Sequence, residues 1–132
     1  MKVRDILYTT SWDDLDIGTC KLFIKFFDQY IPIILFQDHQ PKARLSPKMV
    51  QAVNDIFDMH DNEQKLYQDE FSKNSTIKVK EIHVDQENDM LDGVYCEIIM
   101  DSDSKYLSFI LKNGIIIAVD TDGTYLSLLK EA

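Results

Sequence analysis

Lys105-Tyr-Leu-Ser-Phe-Ile-Leu-Lys-Asn-Gly-Ile-Ile-Ile-Ala-Val-Asp120 decides the fold. Two apolar runs flank Asn113-Gly114, and Asn-Gly adopts the left-handed conformations of a type I′ turn, whose twist matches that of paired strands. A two-residue turn sets Lys112 opposite Ile115, Leu111 opposite Ile116, Ile110 opposite Ile117 and Phe109 opposite Ala118. One face of the hairpin then carries Leu107, Phe109, Leu111, Ile116 and Ala118, and the other carries Ile110, Ile115, Ile117 and Val119. Strands apolar on both faces are expected at the centre of a sheet covered on both sides.

Upstream of the hairpin, the chain reads as more strands joined to it. From Thr76-Ile-Lys-Val-Lys-Glu-Ile-His-Val84 onward the pattern is an antiparallel meander. The apolar phase changes between Ile77/Val79 and Ile82/Val84, so a bulge is expected near Lys80-Glu81. An acidic loop, Asp85-Gln-Glu-Asn-Asp-Met-Leu-Asp92, leads to a strand over 93–100. The turn Asp101-Ser-Asp-Ser104 returns the chain to the hairpin, and Thr121-Asp122-Gly123 turns it into a last run, Tyr125-Leu-Ser-Leu-Leu129.

Earlier still lie two β-rich runs, Lys21–Phe27 and Tyr30–Phe36. Leu22, Ile24 and Phe26 alternate with polar residues in the first. Pro32 has no N–H for a ladder and marks the second as an edge strand or one that starts after a bulge. Ser46-Pro47 is a helix start, with a hydroxyl to cap and a proline at the first helical position. Met49, Val50, Val53, Ile56 and Phe57 form one apolar face behind it. The pattern weakens at His60-Asp61-Asn62 and resumes at Leu66, Tyr67 and Phe71. This predicts one long helix with a break, or two consecutive helices, ending at Lys73-Asn74-Ser75.

Residues 1–19 suggest an extended or partly helical lead-in holding Trp12, either a core or lid residue or an exposed anchor. The expected architecture is a single α+β domain over 1–132. An antiparallel sheet of six to seven strands, ending in a C-terminal meander, packs against one long or broken helix.

At 132 residues the chain can bury a core without disulfides or metals. Cys20 and Cys96 lie in or beside predicted strands and read as reduced, partly buried thiols of a cytosolic protein. The N-terminal segment lacks the apolar run of a signal peptide, and no segment reaches transmembrane length, so a cytoplasmic location is expected. The net charge of −9 argues against binding nucleic acid or an anionic membrane and suits a basic partner.

Catalytic and metal signatures are missing from the sequence. His39, His60 and His83 are scattered, neither cysteine belongs to a C-x-x-C pair, and there is no nucleophile elbow or phosphate-cradling loop. A Cys96–His83 pair on neighbouring strands is the remaining nucleophilic arrangement. A cluster of Asp38, His39 and Arg44 in the loop before the first long helix is the remaining one for a small-molecule enzyme. Asp101-Ser-Asp and Asp120-Thr-Asp have the spacing of calcium loops without the rest of an EF-hand and read as turns. No cofactor or metal is expected.

Alternate turns of a meander share one end of a sheet. Asp101, Asp103, Asp120 and Asp122 should therefore gather at one end, and Asp85, Glu87, Asp89 and Asp92 at the other with Asn113-Gly114. Either cluster, with Tyr95, Tyr106 or Tyr125 as aromatic anchors, is a candidate partner-binding surface. Helix acids Asp55, Asp58, Asp61 and Glu63 form a third.

Trp12 before a β-hairpin, a helix opened by Leu45-Ser46-Pro47, and a meander with Asn113-Gly114-Ile-Ile-Ile and Asp122-Gly123 give an order of features that resembles the small acidic α+β immunity proteins. These are encoded beside bacterial polymorphic or contact-dependent growth-inhibition toxins. Some related uncharacterised families have a glycine close after the tryptophan, where this chain has Asp13 and Asp14. The resemblance implies a non-enzymatic protein that binds a cognate toxin domain, often a basic nuclease, and covers its active site or substrate surface. The alternative is a housekeeping or regulatory binding module, monomeric or joined as a homodimer through the second apolar face of the sheet.

Overall fold

The computed structural model describes residues 1–37, 45–60, 64–73, 77–101 and 105–132. A short helix α1 (Val3–Tyr8) precedes strands β1 (Thr10–Trp12), β2 (Ile17–Ile24) and β3 (Gln29–Phe36). Helices α2 (Pro47–Phe57) and α3 (Lys65–Lys73) follow. Next come β4 (Lys78–Asp85), β5 (Tyr95–Asp101), β6 (Ser108–Lys112), β7 (Ile115–Asp120) and helix α4 (Tyr125–Glu131). The strands form one seven-stranded sheet in sequence order.

The α+β class and the mostly antiparallel sheet are as expected, but β3 and β4 run parallel, from Ile33 opposite Ile82 to Phe36 opposite Asp85. Parallel neighbours need a crossover, and the chain carrying α2 and α3 supplies it. The helical region is thus two helices, and α1 and α4 bring the described α-helices to four.

Several local expectations hold for the stated reasons. Asn113 (φ +50°) and Gly114 (φ +85°) make the left-handed turn. Ser46 Oγ accepts from the Met49 N–H at 3.1 Å, with Pro47 in the first helical turn. The register of β4 shifts between Val79 and Glu81, which makes Lys80 the bulged residue.

Others are corrected. Beyond Leu111 opposite Ile116 the β6–β7 register slips, leaving Ile117 as the extra residue; Ile110 pairs with Ala118 and Phe109 with Val119. Val119 therefore shares the Phe109 face, and Ala118 the Ile110 face. The first run leaves the ladder at Ile24 for a 3₁₀ turn (Lys25–Phe27) and a left-handed Asp28. Pro32 lies in an interior strand, one residue before the ladder to β4 begins, where no bond to β4 is required of it. The Tyr125–Leu129 run is helical because the carboxylate of Asp120, the last residue of β7, accepts from the N–H groups of Asp122, Gly123 and Tyr125 and turns the chain. The Asp38–Arg44 loop lies outside the described residues.

One side of the sheet is the core. Cys20, Leu22, Ile24, Ile33, Leu35, Ile82, Val84, Ile98, Phe109 and Leu111 are buried there against Ile6 of α1 and Met49, Ala52, Val53 and Ile56 of α2. Tyr67 of α3 meets the rings of Phe26, Phe27 and Phe109 at 5.2–5.5 Å between centroids. Trp12 packs against this core from the edge strand and stands over Gly18, where an added Cβ would come within 2.8 Å of its ring. At the other edge, fully buried Gln64 donates to the Gly114 carbonyl and accepts from the Ile116 N–H, both at 2.9 Å. Its amide stands in for a strand beyond β7 and satisfies backbone groups that an edge would leave open.

Candidate functional site

The opposite side of the sheet is different in kind. Alternation sends Ile34 and Phe36 of β3, Glu81, His83 and Asp85 of β4, and Glu97 of β5 to this face, and all are half-buried. The 3₁₀ turn Gln86–Met90 rises from the end of β4, and α4 comes back from the end of β7 to meet it. Lys48 of α2 fixes that turn from behind, donating to the carbonyls of Asp89 (3.1 Å) and Leu91 (2.6 Å).

Between sheet, turn and helix lies a cavity of about 660 Å³. Phe36, His83, Asp85 and Glu97 line it from the sheet, Glu87, Asn88 and Met90 from the turn, and Leu126, Ser127, Lys130 and Glu131 from α4. Among the described residues of the lining, four carboxylates accompany one ammonium, and Lys130 pairs with Glu87 at 3.9 Å. A second cavity of about 290 Å³ shares Phe36, Asp85 and Glu87 with the first and extends the groove to Leu15, Asp16 and Ile17 at the β1–β2 turn. Leu15 and Met90 are exposed along it.

Several polar groups are held. The Tyr106 and Ser108 hydroxyls both donate to Glu97 Oε2, at 2.8 Å. Burial, with the nearby Glu97 and Asp120 charges, pushes the Tyr106 phenol up to about 12, so it stays a donor. His83 Nε2 lies 2.6 Å from Glu81 Oε2, and its ring meets Phe36 edge-on at 5.2 Å. Asp85 Oδ1 accepts from the Glu87 N–H at 2.9 Å and caps the turn. Asn88 is 5% exposed, and its Oδ1 has no hydrogen-bond partner among the described residues. A buried acceptor without a donor is uncommon and costly. Among the described residues, no three His, Cys, Asp or Glu side chains converge as a metal site would require.

The candidate acids separate under this geometry. Asp85 and Glu87 line the groove. Asp89 gives its carbonyl to Lys48, and Asp92 is exposed beyond the turn. These four do lie at the Asn113 end, where the Val94 carbonyl accepts from the Asn113 N–H. Asp101 ends β5 opposite Lys78, at the end where β7 finishes with Asp120. Asp120 is buried and occupied by backbone N–H groups. Asp122 accepts from the Thr124 hydroxyl and N–H, which holds its carboxyl below the usual aspartate pKa. Both serve the turn. Asp103, Asp61, Glu63 and the Asp38-His39-Arg44 cluster fall outside the described residues. Asp55 bonds to Gln51 on α2, and its carboxyl is raised chiefly by burial.

Of the tyrosines, Tyr106 reaches Glu97, Tyr125 is half-buried at the start of α4, and Tyr95 is buried beneath the Lys112 ammonium. Cys96 and His83 lie on opposite faces, so the nucleophilic pair does not form. The Cys96 thiol is fully buried, and that burial pushes it far up.

Sequence reasoning missed Glu97, Asn88, Lys130 and Glu131. For Glu97 the signal was present: it sits between Cys96 and Ile98 as Glu81, His83 and Asp85 alternate with Ile82 and Val84. That marks a polar stripe on one face of inner strands.

A third cavity, of about 860 Å³, lies between the 3₁₀ turn Lys25–Phe27 and the end of α2, where Phe23 and Phe57 join Lys25, Asp28 and Asp58. Its lining has two carboxylates against one lysine and, among the described residues, no unmet buried acceptor. Compared with protein-family models, curated proteins and solved structures, the chain has no match.

Proposed function

We propose that the protein is a non-enzymatic inhibitor of the immunity class, which neutralises a cognate basic toxin domain, in particular a nuclease, by binding it along the acidic groove and covering its active or substrate surface. The carboxylate excess of the groove carries the reading. Asp85, Glu87, Glu97 and Glu131, with Lys130 the one lysine among the described lining residues, in a chain of net charge −9, attract a basic surface and disfavour nucleic acid and anionic lipid. Exposed Leu15 and Met90 beside the charges supply the apolar anchors a protein interface needs. The groove is also framed on a rigid sheet, so little ordering would oppose binding.

Co-expression with the polypeptide encoded immediately upstream tests this. Co-purification together with rescue from growth arrest is the expected result, and a non-toxic, non-binding neighbour would sink the reading.

One observation favours the alternative, a housekeeping or regulatory module acting as a homodimer. Phe23 and Tyr30 pack edge to face at 5.3 Å and are both exposed on the part of the groove side that β2 and β3 leave open. Light scattering separates the two: a dimer that Tyr30→Asp splits, without affinity for a basic protein, supports the alternative.

A further inference from the structure

The groove has a subsite more specific than its charge. Asn88 lines the 660 Å³ cavity and is 95% shielded from solvent, and its Oδ1 has no hydrogen-bond partner among the described residues. The side-chain Oε1 of Gln86 in the same turn is also buried without a partner among the described residues, but Gln86 lies outside this lining. Glu97 is fixed through Oε2 by Tyr106 and Ser108, which leaves its Oε1 without a protein donor among the described residues. Asp85 and Glu131 add charge around the same space.

These acceptors are spread over a strand, a 3₁₀ turn and a helix, and among the described residues they do not converge as ligands to a point ion would. A compact cation therefore has no common focus here. A planar cation with several N–H donors directed outward can engage separated acceptors at once, and a guanidinium has five in a fixed fork. The Phe36 ring in the lining, held edge-on by His83, gives such a plane an aromatic neighbour.

On the reading of the groove as a surface for a basic partner, we infer that this cavity receives one arginine side chain of that partner, with Asn88 Oδ1 and the Glu97 carboxylate accepting from its guanidinium. An arginine so placed would be a central, desolvated contact of the interface.

The test is a titration of the isotope-labelled full chain, followed by amide and side-chain NMR shifts, with N-acetyl-arginine methylamide, N-acetyl-lysine methylamide and free arginine. Saturable shifts confined to residues 83–90, 97 and 123–131 are expected with the blocked arginine. The lysine analogue should bind about fivefold or more weakly, the equivalent of one net hydrogen bond. Free arginine should be weaker than the blocked form because its own carboxylate enters an acidic cavity. Glu97→Gln and Glu131→Gln should each weaken the arginine analogue, the second from an exposed helix position where the sheet is untouched. Asn88→Asp should tighten it.

Scattered or absent shifts, equal affinity for the lysine analogue, or indifference to both Glu131→Gln and Asn88→Asp would overturn the inference. Preference for free arginine would overturn the partner-borne source and make the ligand a small metabolite. A partner that binds and rescues while the arginine analogue leaves the cavity untouched would refute the subsite and keep the functional reading. An occupied cavity without any basic partner would do the reverse.

Discussion

Ile33 and Ile34 are adjacent, chemically identical and on opposite sides of one sheet. Ile33 is fully buried beneath the helices, whereas Ile34 is half-buried on the groove side next to His83. The same division runs across the sheet. One face gathers its apolar residues into a single core, and the other keeps Glu81, His83, Asp85 and Glu97 half-buried beside the exposed acids Glu87 and Glu131. On the proposed reading, the exposed charge of that groove is what a partner meets.

The largest effect expected from this contrast is at the buried neighbour. Ile33→Ala should cost about 2–5 kcal/mol in urea unfolding and Ile34→Ala about 1 kcal/mol, with similar denaturant slopes. Equal costs would mean that the two faces are not distinct.

Gln64→Ala comes next, at about 1–3 kcal/mol, because it strips the donor from the Gly114 carbonyl and the acceptor from the Ile116 N–H. Hydrogen exchange should accelerate first at Ile116, at the β7 edge rather than in the groove.

Alkaline titration probes the groove side by itself. The Tyr106 phenol sits near 12 in the fold against 10.0 for a free tyrosine, so the folded state holds this proton more tightly. Its contribution to stability is intact below about pH 10 and is lost as the pH climbs toward about 12. Tyr106→Phe should flatten the stability profile in that window and remove the last phenolate step from the absorbance titration.

The smallest effect on folding is expected from reversing groove charge. Glu87→Lys with Glu131→Lys changes two exposed side chains and should move stability by no more than about 0.5 kcal/mol.

The helix face was the more legible of the two. Its periodicities are long, and its turn and cap, Asn113-Gly114 and Ser46-Pro47, act through local chemistry. The Ile117 slip was hidden because Ile115-Ile-Ile117 carries no change of phase to locate a bulge. Tyr125–Leu129 fits a strand or a helix at that length, and what decides is the Asp120 carboxylate catching the Tyr125 N–H. The crossover from β3 to β4 was hinted at by the helices between them. Asp85 and Glu87 could be found as part of an acid-rich loop. Glu97 could be joined to them by the alternation along β4 and β5, but Asn88, Lys130 and Glu131 could not, since their meeting depends on how the 3₁₀ turn and α4 settle over the sheet.

The central claim is that one face folds the protein and the other binds. Its most direct test is to measure the Glu87→Lys/Glu131→Lys variant for both properties, by urea unfolding and by retention of the co-expressed upstream polypeptide. The account predicts an unchanged unfolding midpoint together with loss of the partner and of rescue. A variant that unfolds early, or one that keeps its partner at full strength, would contradict it.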